Sequence, residues 1–141
     1  SNKVWVEVGQ PERWDVVVFI YPIDPKKDFV KRVIGLPGET VAMHNGQIFI
    51  NGQKVDDPYG RYDSSIPLEI KNFPPEKVKP GHYFMMGDNR DYSSDSRTWG
   101  QVDASLLRGK AWRLYWSWDS KDPDKSFTER LRFSRIGTKI E

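Results

Sequence analysis

The sequence has no cysteine and only two histidines among its 141 residues. The lack of cysteine excludes disulfide bonds, thiolate nucleophiles and cysteine-ligated zinc, and it leaves the redox compartment open. Histidine chemistry has little support, because His44 precedes an Asn-Gly turn and His82 follows a Pro-Gly turn. There is no phosphate-binding glycine loop either. We therefore expect neither a metal nor a cofactor, and a hydrolytic site here must work without cysteine or histidine.

Long apolar runs are also missing. No run approaches the roughly 18 residues of a membrane-spanning helix, and no secretory signal pattern is visible. Hydrophobic residues still make up 37% of the chain and charged residues 30%, so a core and a solvated surface are both expected. We expect these residues to form a soluble body, even if they belong to a longer, membrane-anchored protein.

The charge balance is nearly even. Lys and Arg number 22 against 20 Asp and Glu, which gives a net charge of +2 with both signs interspersed. Such a charge pattern gives only weak support for nucleic-acid binding, and it favours a mixed, solvated surface. The ten prolines and eleven glycines are spread through the chain and favour many short strands and turns.

Three segments in the first part of the chain carry strand patterns. Val4–Val8 alternates apolar and polar residues. Val16–Tyr21 is a continuous β-branched and aromatic run bounded by Pro11 and Pro22, and Phe29–Ile34 is a second such run. We expect all three to be strands, the second of them buried.

Two Asn-Gly pairs predict a meander. Asn-Gly supplies the positive φ angles that two-residue hairpin turns require. The pairs at 45–46 and 51–52 separate Val41–His44, Gln47–Ile50 and Gln53–Val55. We expect these segments to form three consecutive antiparallel strands.

The rest of the chain predicts loops and short elements. Residues 56–80 are polar and broken by five prolines, so we expect loops with one short strand at Leu68–Lys71. His82–Met86 predicts a strand. Asp103–Leu107 predicts one helical turn that is capped by Asp103 and stopped by Gly109.

A final strand is predicted at Lys110–Trp118. Period-two alternation would put several apolar residues on one face of it, namely Trp112, Leu114, Trp116 and Trp118. The predicted fold is mostly β, with coiled antiparallel β-sheets forming a barrel-like core and a small β subdomain as an insertion. We assign residues 1–40 and 82–141 to the core and residues 41–81 to the hairpin subdomain.

Lys31 is the first candidate for chemistry. In a strand it would share one face with Phe29 and Val33, while Arg32 would point to the other face. Apolar neighbours can desolvate a lysine, which favours the neutral amine that can act as a base. The alternative is a lysine that snorkels to water at a strand edge, and the strand pattern taken alone favours that alternative.

The second candidate is the segment from Gly87 to Arg97. Its eleven residues include three aspartates, two arginines and three serines, directly after an apolar strand. A calcium loop starting at Asp91 fails, because Ser96 stands where glycine is expected and Val102 where glutamate is expected. A solvated turn and a rigid Asp–Arg lattice along the wall of a site both remain open.

Several segments resemble the conserved boxes of type I signal peptidases. Arg13–Phe19 is similar to a strand of that family, Phe29–Glu39 to the box that holds its catalytic lysine, and Met86–Arg97 to its last box. Arg108–Ala111 and Arg132–Gly137 are similar to its C-terminal pattern. The resemblance spans nearly the whole chain, and it departs from the family pattern at Trp14, Tyr92 and Thr98.

The resemblance implies a serine endopeptidase with a Ser–Lys dyad and a role for each matching residue. Lys31 would be the general base and Ser93 would hydrogen-bond and orient its amine. Arg32 would point away from the cleft and pair with Asp95, which Arg97 would also support. A further set would line shallow apolar subsites that prefer small residues, namely Val18, Phe29 and Val30.

The resemblance also implies what this sequence lacks. The family nucleophile lies in a Ser-Met-x-Pro-Thr segment after a membrane anchor, and that segment also supplies the oxyanion-hole donors. No such segment occurs in these residues. We therefore expect a chain truncated before its nucleophile and inactive alone.

The implied partners are signal peptides of exported preproteins and a membrane, reached through the missing N-terminal anchor and an apolar surface. The implied location is the bacterial cytoplasmic membrane, with the catalytic domain on the extracytoplasmic side. Two alternatives remain: a β-domain that binds peptide without catalysis, and a basic β-barrel that binds nucleic acid. The last ranks low because Lys110 is the only basic residue on the predicted tryptophan face.

Overall fold

The computed structural model describes residues 9–114. Its strands, in chain order, are β1 (Val16–Ile20), β2 (Asp28–Gly35), β3 (Thr40–His44), β4 (Gln47–Ile50), β5 (Gln53–Lys54), β6 (Phe73–Lys77), β7 (His82–Met86), β8 (Val102–Asp103) and β9 (Leu107–Lys110). Helical segments are short: 3₁₀ turns at Leu68–Ile70, Arg90–Tyr92 and Ala104–Leu106, and the α-helix α1 at Ser96–Trp99.

The strands form two antiparallel sheets. The larger has the order β8-β7-β2-β1-β9 and the smaller the order β5-β4-β3-β6. The mostly β prediction is confirmed, but the sheets do not close into a barrel in the part of the chain that the structure describes. Within those same residues, no helix has the length and apolar character to cross a membrane.

The β1–β2 hairpin is the centre of the larger sheet. Its β-branched and aromatic runs pair from Val16 opposite Arg32 to Ile20 opposite Asp28. Alternation then sends successive side chains to opposite faces. Both faces are buried along β7 and along the second half of β2, which explains why Tyr83–Met86 is a continuous run of apolar and aromatic residues.

Two apolar clusters pack against the two faces of the larger sheet. One contains Ile34, Phe84 and Met86 together with residues of the smaller sheet, namely Val41, Met43, Ile48 and Ile50. The other contains Val33, Tyr83 and Met85 together with Val17, Phe19, Val102 and Leu107. The smaller sheet is thus packed onto the larger one through a shared core. The chain passes from the larger sheet to the smaller one and back near the predicted boundaries at residues 40 and 82. The division of the chain into core and subdomain stays a prediction.

The predicted meander is confirmed. Asn45 and Asn51 have φ angles of 50° and 53°, and the glycines that follow have 79° and 82°. Positive φ at both central positions is the requirement of the tight hairpin turns that match strand twist.

The predicted strand at Leu68–Lys71 is wrong, since Leu68–Ile70 is a 3₁₀ turn. The strand of this region is β6, which pairs with β3 and contains Pro74 and Pro75. Proline gives no ladder donor and is tolerated because β6 is an edge strand whose register shifts opposite the prolines. The proline signal hid this strand from the sequence pattern.

The last predicted elements are partly corrected. Asp103 caps a helical turn as predicted, with its carboxylate accepting from the amide of Ser105. Gly109 does not end that turn but lies within β9. Lys110 is the last residue of β9 and the chain becomes helical at 111–114, so the predicted strand at 110–118 is wrong at 111–114. Trp116, Trp118 and the predicted strand Val4–Val8 lie outside the described residues.

Gly35 generates a stability prediction. A β-carbon there would lie 2.4 Å from Val41 Cγ2 and 3.1 Å from Phe84 Cβ, where β2 meets the shared core. We expect Gly35→Ala to lower the free energy of unfolding by about 1–3 kcal/mol through overpacking, measured by urea denaturation. Gly38→Ala is the control, because its position has open space and only a positive φ of 87°. A smaller loss at Gly35 than at Gly38 would contradict this packing argument.

Candidate active site

Lys31 lies in the middle of β2, opposite Val17 of β1. The residue is 5% exposed, and its Nζ lies 5.3 Å from the centroid of the Phe29 ring. Strand pairing puts it on the face that carries Val17 and Val33. The predicted apolar surroundings are therefore present, and Lys31 is buried rather than a snorkelling lysine at an edge.

Arg32 points to the opposite face, as the alternation predicts. Its Nε lies 2.9 Å from Asp88 Oδ1 and its Nη2 lies 2.7 Å from Asp88 Oδ2. Its Nη1 donates to the carbonyl of Trp14 at 2.8 Å, and the Tyr59 ring centroid lies 3.8 Å from its Cζ. The expected pairing with Asp95 is corrected here: Asp88 is the partner, because it lies two residues after Met86, the strand end that pairs with Arg32.

Asp95 is fully buried and has a different set of partners. It accepts from the amide of Gly87 at 3.0 Å and from Nε and Nη2 of Arg97 at 2.9 and 2.7 Å. It also caps α1 through the amide of Arg97. Arg97 donates further to the carbonyl of Arg90 at 2.8 Å. Asp95 therefore ties both ends of the segment 87–97 together, and the expected support from Arg97 is present.

Ser93 follows the 3₁₀ turn Arg90–Tyr92. Its hydroxyl donates to the carbonyl of Asn89 at 2.6 Å. A serine hydroxyl has one proton to donate, so this bond leaves the Ser93 oxygen available as an acceptor. Its expected bond to the Lys31 amine stays a prediction, and in this geometry the amine would be the donor.

The three expected subsite residues lie on two faces of the sheet. Phe29 shares the face of Lys31, whereas Val18 and Val30 are paired with each other on the face of Arg32. Val18 is fully buried, while Phe29 and Val30 are partly exposed. Their part in substrate binding stays a prediction.

Sequence reasoning missed an aromatic cluster beside Lys31. The Tyr21 and Phe29 rings stack with centroids 4.1 Å apart and an interplanar angle of 4°. Trp99 meets both rings edge-on at 5.4 and 5.9 Å. The signal for this cluster in the sequence was weak, because Trp99 stands outside the last box, two residues after Arg97. The cluster gives Lys31 an apolar, rigid neighbour on its own face.

A second group missed at the level of sequence lies behind the turn at 88–92. Arg90 is 1% exposed and pairs with Asp57, and Lys71 is 6% exposed and pairs with Asp91. Residues 56–80 gave only proline and polar signals, which indicate a loop without saying what the loop contacts. Two buried cations are therefore paired between this loop and the last box.

Asp95 generates a prediction about the segment 87–97. Removing one partner of a buried ion pair leaves an uncompensated charge, so we expect Asp95→Ala to cost on the order of 3 kcal/mol in unfolding free energy. The control is Asp103→Ala, the other capping aspartate, whose side chain is 54% exposed and whose loss should cost about 1 kcal/mol. The unfolding free energies are measured by urea denaturation, and equal losses in Asp95→Ala and Asp103→Ala would contradict the assigned role of Asp95.

Asp63 generates a pH prediction. Hydrogen bonds from Ser65 and from the Tyr92 hydroxyl lower the pKa of Asp63 from 3.8 to about 2. Because the folded-state pKa is depressed, the stabilisation is present above pH 3.8 and is lost as the pH falls toward 2. We expect Tyr92→Phe to raise the pKa of Asp63 part of the way back, as followed by NMR titration of its carboxyl carbon. Tyr59→Phe is the control, and an unchanged Asp63 pKa in Tyr92→Phe would refute the assigned cause.

Comparison with known proteins identifies relatives of this chain. The family model described as signal peptidase, peptidase S26, matches residues 1–116. A signal peptidase I of Pseudomonas fluorescens is 36% identical over 170 residues, which cover 96% of this chain and 58% of that protein. A signal peptidase I of Bacillus caldolyticus is 39% identical over 125 residues, which cover 82% of this chain and 67% of that protein.

A solved structure agrees with these relatives. The signal peptidase I of Enterococcus faecalis V583 matches with a TM-score of 0.61 at 28% identity, covering 78% of this chain and 98% of that one. The chain spans 58% of the length of the Pseudomonas fluorescens protein and 57% of the length of a signal peptidase I of Pseudomonas aeruginosa. The family match over residues 1–116, together with the buried Lys31 and the ion-paired segment 87–97, shows that this chain belongs to the signal peptidase family, peptidase S26.

Proposed function

We propose that this chain is the main part of the catalytic domain of a signal peptidase I. The reaction would be cleavage of the signal peptide from exported preproteins by a serine endopeptidase with a Ser–Lys dyad. The observation that carries the proposal is Lys31, a lysine that is 5% exposed and faces an aromatic cluster. Removing water from an amine favours its neutral form, which is the form that accepts a proton.

In the proposed mechanism Lys31 is the general base. Its neutral amine takes the proton of a serine hydroxyl while the serine oxygen attacks the carbonyl carbon of the scissile bond. The protonated amine then gives its proton to the leaving amine of the mature protein, and an acyl-enzyme remains. Lys31 next takes a proton from water, whose oxygen attacks the carbonyl carbon of the acyl-enzyme, and the protonated amine returns that proton to the serine oxygen as the signal peptide leaves.

Ser93 is proposed to orient that base. Its hydroxyl proton is committed to the carbonyl of Asn89, so its oxygen accepts an N–H of the Lys31 amine. Accepting one N–H turns the amine lone pair toward a defined direction, where the nucleophilic hydroxyl would stand. Ser93 is therefore a positioning residue, and the buried pair of Asp95 and Arg97 keeps its segment in place.

The nucleophile is proposed to lie outside these 141 residues. In the family it belongs to a Ser-Met-x-Pro-Thr segment, and this sequence contains no such segment. The same segment would supply the oxyanion-hole donors, which are worth roughly 10²–10³-fold in rate for each donor. The chain alone would then bind substrate without turning it over.

The proposed substrates are preproteins with small residues at the first and third positions before the cleavage site. Phe29, Val30 and Val18 are proposed to form shallow apolar subsites for them. The proposed location is the bacterial cytoplasmic membrane, with the domain on its extracytoplasmic side and an anchor preceding it. The charges of this chain, 22 positive and 20 negative, give no reason to add a nucleic acid to its partners.

The test uses the chain extended through its natural upstream coding sequence. We expect that protein to cleave a preprotein, and Lys31→Ala to lower kcat by roughly 10³-fold or more because the general base is lost. Lys54→Ala, on an exposed position of β5, is the matched control and should leave kcat unchanged. Unchanged cleavage by Lys31→Ala would remove Lys31 from the mechanism.

The 141 residues alone provide the second arm of the test. We expect no preprotein cleavage from them, because the nucleophile is absent. Robust peptidase activity from the chain alone would refute the proposal that the nucleophile lies outside these 141 residues. Binding of a signal peptide without cleavage, even by the extended protein, would favour the peptide-binding β-domain instead.

A further inference from the structure

We propose that Lys71 and Asp57 are positioning residues, which hold the turn carrying Ser93 through ion pairs with Asp91 and Arg90. The inference rests on the proposed role of Ser93 beside Lys31. We call residues 57–71 the clasp. The clasp lies in the insertion between β5 and β6 and contains none of the residues that the mechanism uses directly.

The clasp runs beside the turn as a backbone partner. Arg61 and Asn89 form an isolated parallel bridge. The amide of Arg61 donates to the carbonyl of Asp88 at 2.7 Å, and the amide of Arg90 donates to the carbonyl of Arg61 at 3.0 Å. The clasp therefore holds the residues on both sides of Asn89, whose own carbonyl accepts the Ser93 hydroxyl.

Arg90 is the first side-chain link. Its Nη1 and Nη2 lie 2.5 and 3.3 Å from the two carboxylate oxygens of Asp57, and its Nε donates to the carbonyl of Gly87 at 2.8 Å. The guanidinium fills the space under the clasp so closely that a β-carbon on Gly60 would lie 2.6 Å from Nη1. The ion pair thus joins the clasp to both the beginning and the middle of the turn.

Lys71 is the second link. Its Nζ lies 3.2 Å from Asp91 Oδ2, and the two side chains are only 4% and 8% exposed. Nζ also donates to the carbonyl of Asp63 at 3.0 Å, while the amide of Asp63 donates to the same Asp91 oxygen at 2.6 Å. One carboxylate oxygen is thus shared by a buried ammonium and a backbone amide of the clasp.

The turn residue next to Ser93 is fixed as well, because the Tyr92 hydroxyl donates to Asp63. Four of the five residues before Ser93 are therefore bonded to the clasp, namely Asp88, Arg90, Asp91 and Tyr92. Truncating Lys71 would leave the Asp91 carboxylate buried and unpaired, and that charge is stabilised only if the turn moves toward water. Such a movement would displace Ser93.

The main experiment measures cleavage kinetics of the extended protein. We expect Lys71→Met to lower kcat about 10–100-fold with KM within about twofold, because the substrate-contacting strands are not changed. Lys71→Arg keeps the charge and should restore most of the activity. Lys77→Met, on an exposed position of β6, is the matched control and should behave as the parent.

A double variant separates positioning from simple stability. In a Ser93→Ala background, Lys71→Met should change kcat by less than about threefold, because the group through which it acts is gone. A full additive loss in that background would overturn the proposal. So would a Lys71→Met enzyme whose kcat matches the parent.

A structural arm keeps the proposal falsifiable if the proposed function fails. Amide hydrogen exchange of residues 88–93 is measured in the 141-residue chain for the parent, Lys71→Met, Asp57→Asn and Lys77→Met. We expect at least about tenfold faster exchange at these amides in Lys71→Met and in Asp57→Asn, but not in Lys77→Met. If no cleavage occurs with the extended protein but exchange rises, the proposed function fails and the clasp stands. Unchanged exchange in both variants overturns the clasp, and if Lys71→Met does not fold, Asp57→Asn decides.

Discussion

The bidentate pair between Arg32 and Asp88 is the interaction on which the site depends. Arg32 is the neighbour of Lys31 on β2, and Asp88 begins the segment that leads to Ser93. Since side chains alternate along a strand, fixing Arg32 on one face fixes Lys31 on the other. The pair is nearly buried, with side chains 11% and 4% exposed, and so it is little screened by solvent. It determines where Lys31 and the loop that carries Ser93 lie relative to each other.

The surroundings of that pair accommodate Trp14, one of the positions at which this sequence departs from the family pattern. Trp14 has a φ angle of 78°, which is a costly conformation for a bulky residue. Its carbonyl accepts from Arg32, and its ring lies 5.6 Å from that of Tyr59, which covers the Arg32 guanidinium. The contacts of the side chain offset the backbone strain, and they join the segment Arg13–Phe19 to the clasp.

Local patterns sufficed to predict the hairpins, the strand at His82–Met86 and the opposite directions of Lys31 and Arg32. These features depend on alternation and on turn chemistry, which neighbouring residues determine. The partner of Arg32 was missed because an aspartate at position 88 and one at 95 look alike in the sequence, and only the fold tells which one meets β2. Lys71 was missed for the same reason: nothing near it in the sequence shows that it is buried. Long-range ion pairs leave no periodic signal, and so the resemblance to a family carried the assignment of the site.

Pro74 and Pro75 have a consequence beyond the shape of β6. An unprotected outer strand presents a row of free backbone groups on which another extended chain can assemble. Two consecutive residues without an N–H interrupt that row, so the rim of the smaller sheet is a poor template for a further strand. The smaller sheet is thereby protected from recruiting a further extended chain, or another copy of this protein, at this rim.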